Sequence, residues 1–189
     1  MTNVYLVRHA QPDSQWVDDR TRPLTALGLE ERKKVTDLLS KMPIDVFYSS
    51  PYKRSMDTIS ECADFFKMDI RTDERFRERK AGDSKYAYEL LERRWSDFSF
   101  SEPGGESIGS VQSRNIEAFK QMLIAERGKN IVLGTHGMAL STIINHYDPS
   151  FACEEFKRIR CLMPYVARLG FDGGDYLGRE ELLCVESFY

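Results

Sequence analysis

Short apolar runs alternate with longer amphipathic stretches along the chain. Val4-Tyr5-Leu6-Val7 is continuously apolar and rich in strand formers, which predicts a strand buried on both faces. Thr25 can cap a helix in which Leu29, Val35, Leu38, Leu39 and Met42 recur roughly on one side, with Pro43 as a stop. Asp45-Val46-Phe47-Tyr48 predicts a second strand, ended by Ser49-Ser50-Pro51. A helix over 52–66 and a strand over 68–71 follow.

Residues 73–83 are charged and irregular, and a helix is expected over 85–98. Pro103-Gly104-Gly105 is a break, after which Ser107 can cap a helix reaching Glu126, with Val111, Ile116, Phe119 and Leu123 inward. Asn130-Ile131-Val132-Leu133-Gly134 is a further buried-strand run, followed by a helix over 138–146. The tail predicts strands over 162–169 and 182–188, joined through Asp172-Gly173-Gly174. Strands alternating with helices predict an α/β fold: three layers, α/β/α, around a mainly parallel central sheet.

The length of 189 residues fits one domain, residues 1–189, with no repeat or linker. Basic residues number 27 against 30 acidic, a net charge of −3, which argues against a general nucleic-acid partner. The chain shows neither a basic start with a long apolar stretch nor an apolar run long enough for a bilayer. A soluble, cytoplasmic protein without a membrane partner is therefore expected. Cys62, Cys153, Cys161 and Cys184 lack CxxC spacing, so no zinc site is expected.

The informative chemistry lies where the strands stop. The first ends in Arg8-His9-Ala10, the second leads to Arg54, and the Ile131 strand ends in Thr135-His136-Gly137. Ligands of open α/β sheets bind outside the carboxyl ends of the strands, so two His and two Arg should converge there. Ala10 and Gly137 are small enough for backbone to approach a ligand. Arg forks suit phosphate oxygens, a neutral His can attack phosphorus, and helices starting near Tyr52 and Met138 could add N–H donors. A metal is not expected, because no carboxylate spacing supports one and the Arg residues would repel a cation.

At these residues the sequence resembles the histidine phosphatase superfamily, phosphoglycerate mutase-like branch. The matching segments are Leu6-Val7-Arg8-His9-Ala10, Leu24-Thr25-Ala26-Leu27-Gly28, Ser49-Ser50-Pro51-Tyr52-Lys53-Arg54-Ser55-Met56-Asp57-Thr58, Gly105-Glu106-Ser107 and Val132-Leu133-Gly134-Thr135-His136-Gly137. The resemblance implies that His9 is a nucleophile that becomes phosphorylated, that Arg8, Arg54, His136 and Gly137 hold the phosphoryl group, and that no cofactor is needed. Glu78, four residues before Gly82, is the implied acid, with Glu74 and Glu106 as rivals. His136-Gly137 argues against the acid-phosphatase branch, which carries His-Asp there.

Two departures favour a phosphatase over a mutase. Gln11-Pro12-Asp13-Ser14-Gln15-Trp16 lacks the mutase pattern, leaving Gln11 and Gln15 as candidate phosphate contacts, and the chain is short. The expected activity is hydrolysis of a small phosphorylated metabolite. The alternatives are a cofactor-dependent phosphoglycerate mutase and a non-catalytic phospho-ligand-binding protein, and a phosphoprotein substrate stays open. The basic side chains Arg71, Arg75, Arg77, Arg79 and Lys80 either attract further substrate anions or are solvated surface. Aromatic residues between Tyr86 and Phe100 either line a lid or pack a helical subdomain.

Overall fold

The computed structural model describes residues 1–83 and 89–187. Strands β1 (Thr2–Arg8), β2 (Val46–Ser49), β3 (Ile70–Thr72), β4 (Asn130–Thr135), β5 (Leu162–Asp172) and β6 (Asp175–Glu186) form one sheet in the order β3-β2-β4-β1-β5-β6. The pairs β2–β3, β2–β4 and β1–β4 are parallel, whereas β1–β5 and β5–β6 are antiparallel. The helices are α1 (Ala26–Leu39), α2 (Lys53–Phe66), α3 (Leu91–Ser96), α4 (Ile108–Ala125), α5 (Gly137–Tyr147) and α6 (Cys153–Ile159). No helix among the described residues is long and apolar enough to cross a membrane.

Alternation along the central strands builds the three layers. Val4, Leu6, Ile131 and Leu133 pack with Phe119 of α4 and Leu140, Ile143 and Ile144 of α5. Tyr5, Val7 and Val132 point the other way, onto Val35 and Leu39 of α1 and Ile59 and Cys62 of α2. The expectation of strands buried on both faces therefore holds. In α1, Thr25 caps through its side chain, which accepts from Gly28 N, but Leu29 is exposed. It lies six residues before Val35, about 240° around the helix and off the buried face.

The expected tail hairpin forms, with Gly173 at φ +61° and Gly174 at φ +120° in its turn. Its second strand begins at Asp175 rather than Leu182, because the added residues are mostly polar and pair through their backbone along a half-exposed edge. Part of the helix expected over 85–98 lies outside the described residues, as do Tyr86, Tyr88 and Phe188. Within the described part, α3 ends at Ser96. Its Leu91 and Trp95 form a third apolar cluster with Ile108 and Met138, flanked by Phe98 and Phe156. Trp95 and Phe98 thus pack a helical layer beside the sheet.

Candidate active site

The loop leaving β1 is fixed by hydrogen bonds before any ligand is considered. Ala10 N–H donates to Thr58 Oγ1 at 2.9 Å, and Thr58 in turn donates to the Arg54 carbonyl at 2.7 Å. Gly28 is needed because a Cβ there would come within 2.3 Å of the Gln11 carbonyl oxygen. These contacts hold His9, 6% exposed, at the carboxyl end of β1.

Its Nδ1 stands 2.8 Å from the Ala10 carbonyl oxygen. A carbonyl only accepts, so Nδ1 carries the proton and Nε2 keeps its lone pair. Arg54 Nε donates to that Nε2 at 3.3 Å. Burial, reinforced by Arg54, Arg8 and Arg22, holds the His9 imidazole well below its ordinary pKa, against a smaller opposing effect of the Ala10 carbonyl. His9 is therefore neutral at physiological pH.

His136 precedes the first residue of α5 and is fully buried. Its ring lies 5.3 Å from that of His9, edge-on, and its Nε2 is 2.8 Å from Ser50 Oγ. Its buried Nδ1 has no hydrogen-bond partner among the described residues. Burial, with Arg54, His9, Arg114 and Arg8 beside it, keeps its pKa low as well. Arg8 Nη1 donates to the carbonyls of Ile159 at 2.6 Å, Arg160 at 2.9 Å and Leu162 at 3.2 Å. A Cβ on Gly137 would lie 3.2–3.3 Å from the Arg8 guanidinium, so glycine lets the two pack closely.

Glu78 reaches the same end of the sheet by a different route. A single 3-10 turn, Glu74–Phe76, follows β3, and the chain then crosses to the start of α5. The Glu78 carboxylate accepts from Met138 N at 3.0 Å, Ala139 N at 3.1 Å and its neighbour Arg79 N at 2.8 Å. Part of each expected helix N-terminus is thus already engaged. Glu78 takes Met138 and Ala139 N–H of α5, and the Arg20 carbonyl takes Lys53 N–H of α2 at 3.0 Å.

The two rival carboxylates are both paired with cations. Glu74 pairs with Arg20 on the exposed surface, and Arg20 holds its carboxyl below the usual range. Glu106 accepts from Arg77, from both Arg114 Nε and Nη2 at 3.1 Å, and from Lys80 N at 2.8 Å. Arg114 also donates to the carbonyls of Arg75 at 2.7 Å, Arg77 at 2.8 Å and Glu78 at 3.1 Å, tying the whole segment to α4. Burial alone would raise the Glu106 carboxyl, but the hydrogen bonds from Arg77, Arg114 and Lys80 N lower it to about 2.

Most of the basic stretch is likewise committed to carboxylates: Arg71 to Glu126, Arg75 to Asp73 and Glu117, Arg77 to Glu106, and Arg79 to Glu102. Gln11 accepts from Thr25 Oγ1 at 2.7 Å and donates to Ser187 at 3.2 Å, while Gln15 is exposed. Among the described residues no three His, Cys, Asp or Glu side chains gather as metal ligands.

Two neutral imidazoles set edge-on, flanked by two guanidiniums and followed by a carboxylate, can take up a phosphoryl group on nitrogen. A model of the histidine phosphatase superfamily (branch 1) matches residues 4–178 of this arrangement. The chain belongs to the histidine phosphatase superfamily. It is an enzyme of the histidine phosphatase type. Among its relatives is a 2,3-bisphosphoglycerate-dependent phosphoglycerate mutase 2 of Gloeobacter violaceus, 26% identical over 167 residues, which cover 78% of this chain and 76% of the relative.

The fold is shared with a phosphoserine phosphatase of Entamoeba histolytica solved with 3-phosphoglyceric acid, at TM-score 0.76 and 19% identity, covering 99% of this chain and 98% of the other. It is shared too with a mycobacterial glucosyl-3-phosphoglycerate phosphatase solved with inorganic phosphate, at TM-score 0.74 and 18% identity, covering 98% and 97%. Within the histidine phosphatase frame, the motif residues that sequence reasoning left without a role acquire one. Ser50 contacts His136, Thr58 contacts the Ala10 loop, and Gly28 makes room for Gln11. Asp19, Arg22 and Arg114, which also converge near the site, lie outside the quoted motifs and carried no sequence signal.

Proposed function

We propose that this histidine phosphatase hydrolyses a small phosphorylated metabolite through a phosphohistidine on His9 and without a metal. The observation that carries the reading is the His9 ring. Its proton is committed to the Ala10 carbonyl, it is neutral, and its Nε2 lone pair faces Arg54. Nε2 attacks phosphorus in line, the N–P bond forms, and the bond to the leaving oxygen breaks. Glu78 gives that oxygen its proton. A water then attacks phosphorus, passes its proton to Glu78, and the N–P bond breaks to release phosphate.

Arg8, Arg54, His136 and Gly137 are assigned to the phosphoryl oxygens. Stabilising charge there supplies most of the catalysis in this reaction class, and fixed cations can do it without a metal. Support for His136 comes from Ser50. Ser50 Oγ accepts from Tyr52 N–H at 3.3 Å and stands 2.8 Å from His136 Nε2. Where the hydroxyl gives its proton to Nε2, the neutral ring carries its own on Nδ1, which has no partner among the described residues and is then the donor to a phosphoryl oxygen.

The ligands and activities named for the similar proteins make phosphoserine, 3-phosphoglycerate and a glycosyl phosphoglycerate the first substrates to try. The test is a phosphomonoester panel run with and without a chelator and with and without 2,3-bisphosphoglycerate. Free phosphate should be released under all four conditions. Isomerisation of 3-phosphoglycerate that requires the bisphosphate, without hydrolysis, would establish the mutase reading instead. Loss of activity in chelator, restored by a divalent ion, would refute the metal-free mechanism.

A further inference from the structure

The segment between β1 and α1, where the chain departs from the mutase pattern, reaches back over the start of α2. Its Asp19 meets Arg54 twice. Arg54 Nη1 donates to the Asp19 carbonyl at 2.6 Å and to Asp19 Oδ1 at 3.1 Å. The guanidinium is rigid and planar, so these bonds at Nη1 and the Nε contact with His9 Nε2 together fix its plane. Nε donates to the lone pair that His9 uses in attack; once that lone pair bonds to phosphorus Nε is released, and the Nε–Nη2 edge, the one that binds an oxyanion in fork geometry, faces the phosphoryl group. Asp19 Oδ1 also pairs with Arg22 Nη1 at 3.1 Å, so one carboxylate holds two cations near His9.

We propose that Asp19 is a positioning residue, holding Arg54 by its Nη1 so that the Nε–Nη2 edge addresses the phosphoryl group carried by His9. The proposal rests on the phosphatase reading above. Its consequence is a split between binding and turnover. Asp19 is 52% exposed at the rim, and a carboxylate there opposes the arrival of a phosphate dianion. Yet it orients the side chain that stabilises the transferring group. Asp19 therefore weakens ground-state anion binding while it raises turnover.

The loop keeps its other anchors when the side chain is removed. The Asp19 carbonyl still accepts from Arg54, and the Arg20 carbonyl from Lys53 N–H. Asp19→Ala should therefore fold with a melting temperature close to wild type.

The experiment compares wild type, Asp19→Ala and Asp19→Asn by kcat on an aryl phosphate, by competitive inhibition with inorganic phosphate, and by thermal melting. Asp19→Ala should lose about tenfold in kcat, the low end for one of two hydrogen bonds to a charged donor, and should bind inorganic phosphate at least as tightly as wild type. Asp19→Asn keeps the Oδ1 acceptor and should recover most of the lost kcat. Unchanged kcat in Asp19→Ala would overturn the proposal. So would a joint loss of kcat, phosphate affinity and melting temperature, which marks a purely structural role, or an Asn variant as slow as Ala. A wild type inactive on every phosphomonoester would defeat the phosphatase reading, and this proposal with it. An active wild type matched by Asp19→Ala defeats this proposal alone.

Discussion

Glu106→Gln removes a carboxylate that ties the Glu78 segment to α4 through Arg77, Arg114 and Lys80 N–H. The Glu106 carboxyl stands at about 2 in the fold, against an ordinary value of 4.5. At about 1.4 kcal/mol for each pH unit of that difference, the charged form contributes roughly 3 kcal/mol. For a chain of this size that is a melting temperature about 6–12 °C lower for the variant at neutral pH.

The sign of the pH dependence follows from a depressed carboxyl. The contribution is fully present above 4.5 and is lost as pH falls from 4.5 toward about 2. Thermal melts of both proteins across that range should therefore show a gap that is constant near neutrality and narrows in acid. Equal melting temperatures at neutral pH, or a gap that persists unchanged at about pH 3, would refute the reasoning.

If Glu78 protonates the leaving oxygen, Glu78→Gln should slow esters with poor leaving groups far more than an activated aryl phosphate; equal losses on both would remove it as the acid. Gly28→Ala would bring a Cβ within 2.3 Å of the Gln11 carbonyl and push on the loop that leaves His9. It should destabilise the fold by about 1–3 kcal/mol and lower kcat, and a wild-type melt with wild-type turnover would contradict that. Ser50→Ala should lower kcat while leaving a phosphorylatable His9, and a loss of phosphorylation itself would mean that Ser50 acts on the nucleophile and not on His136.

The residues that sequence made legible are those whose local surroundings are simple. β1 and β4 are unbroken apolar runs buried on both faces, and their ends deliver Arg8, His9 and His136 directly. Arg54 was legible because Ser49-Ser50-Pro51 closes β2 and starts α2. The start of β6 was not, since an edge strand pairs through its backbone while its side chains stay half exposed. Leu29 stays exposed because an apolar residue outside the helical period looks like core in composition but not in angle.

Engagement of the helix N-termini was invisible for another reason. Glu78 meets α5 across some sixty residues of chain, at Met138 and Ala139, a contact that no local pattern announces. The same holds for Asp19 on Arg54 and for Arg114 on the carbonyls around Glu78. Long-range polar contacts follow from the fold and not from the spacing of residues near them.

Covalent trapping tests the central claim most directly. Enzyme mixed with substrate labelled in its phosphoryl group should be quenched in alkaline denaturant, because the P–N bond is acid-labile, and the label mapped to a residue. Label should appear on His9 in the wild type and also in His136→Ala, whose turnover should fall by about 10²–10³, the cost of one lost oxyanion-type donor. His9→Ala should show neither label nor appreciable turnover. Label on His136, or full activity in His9→Ala, would contradict the account.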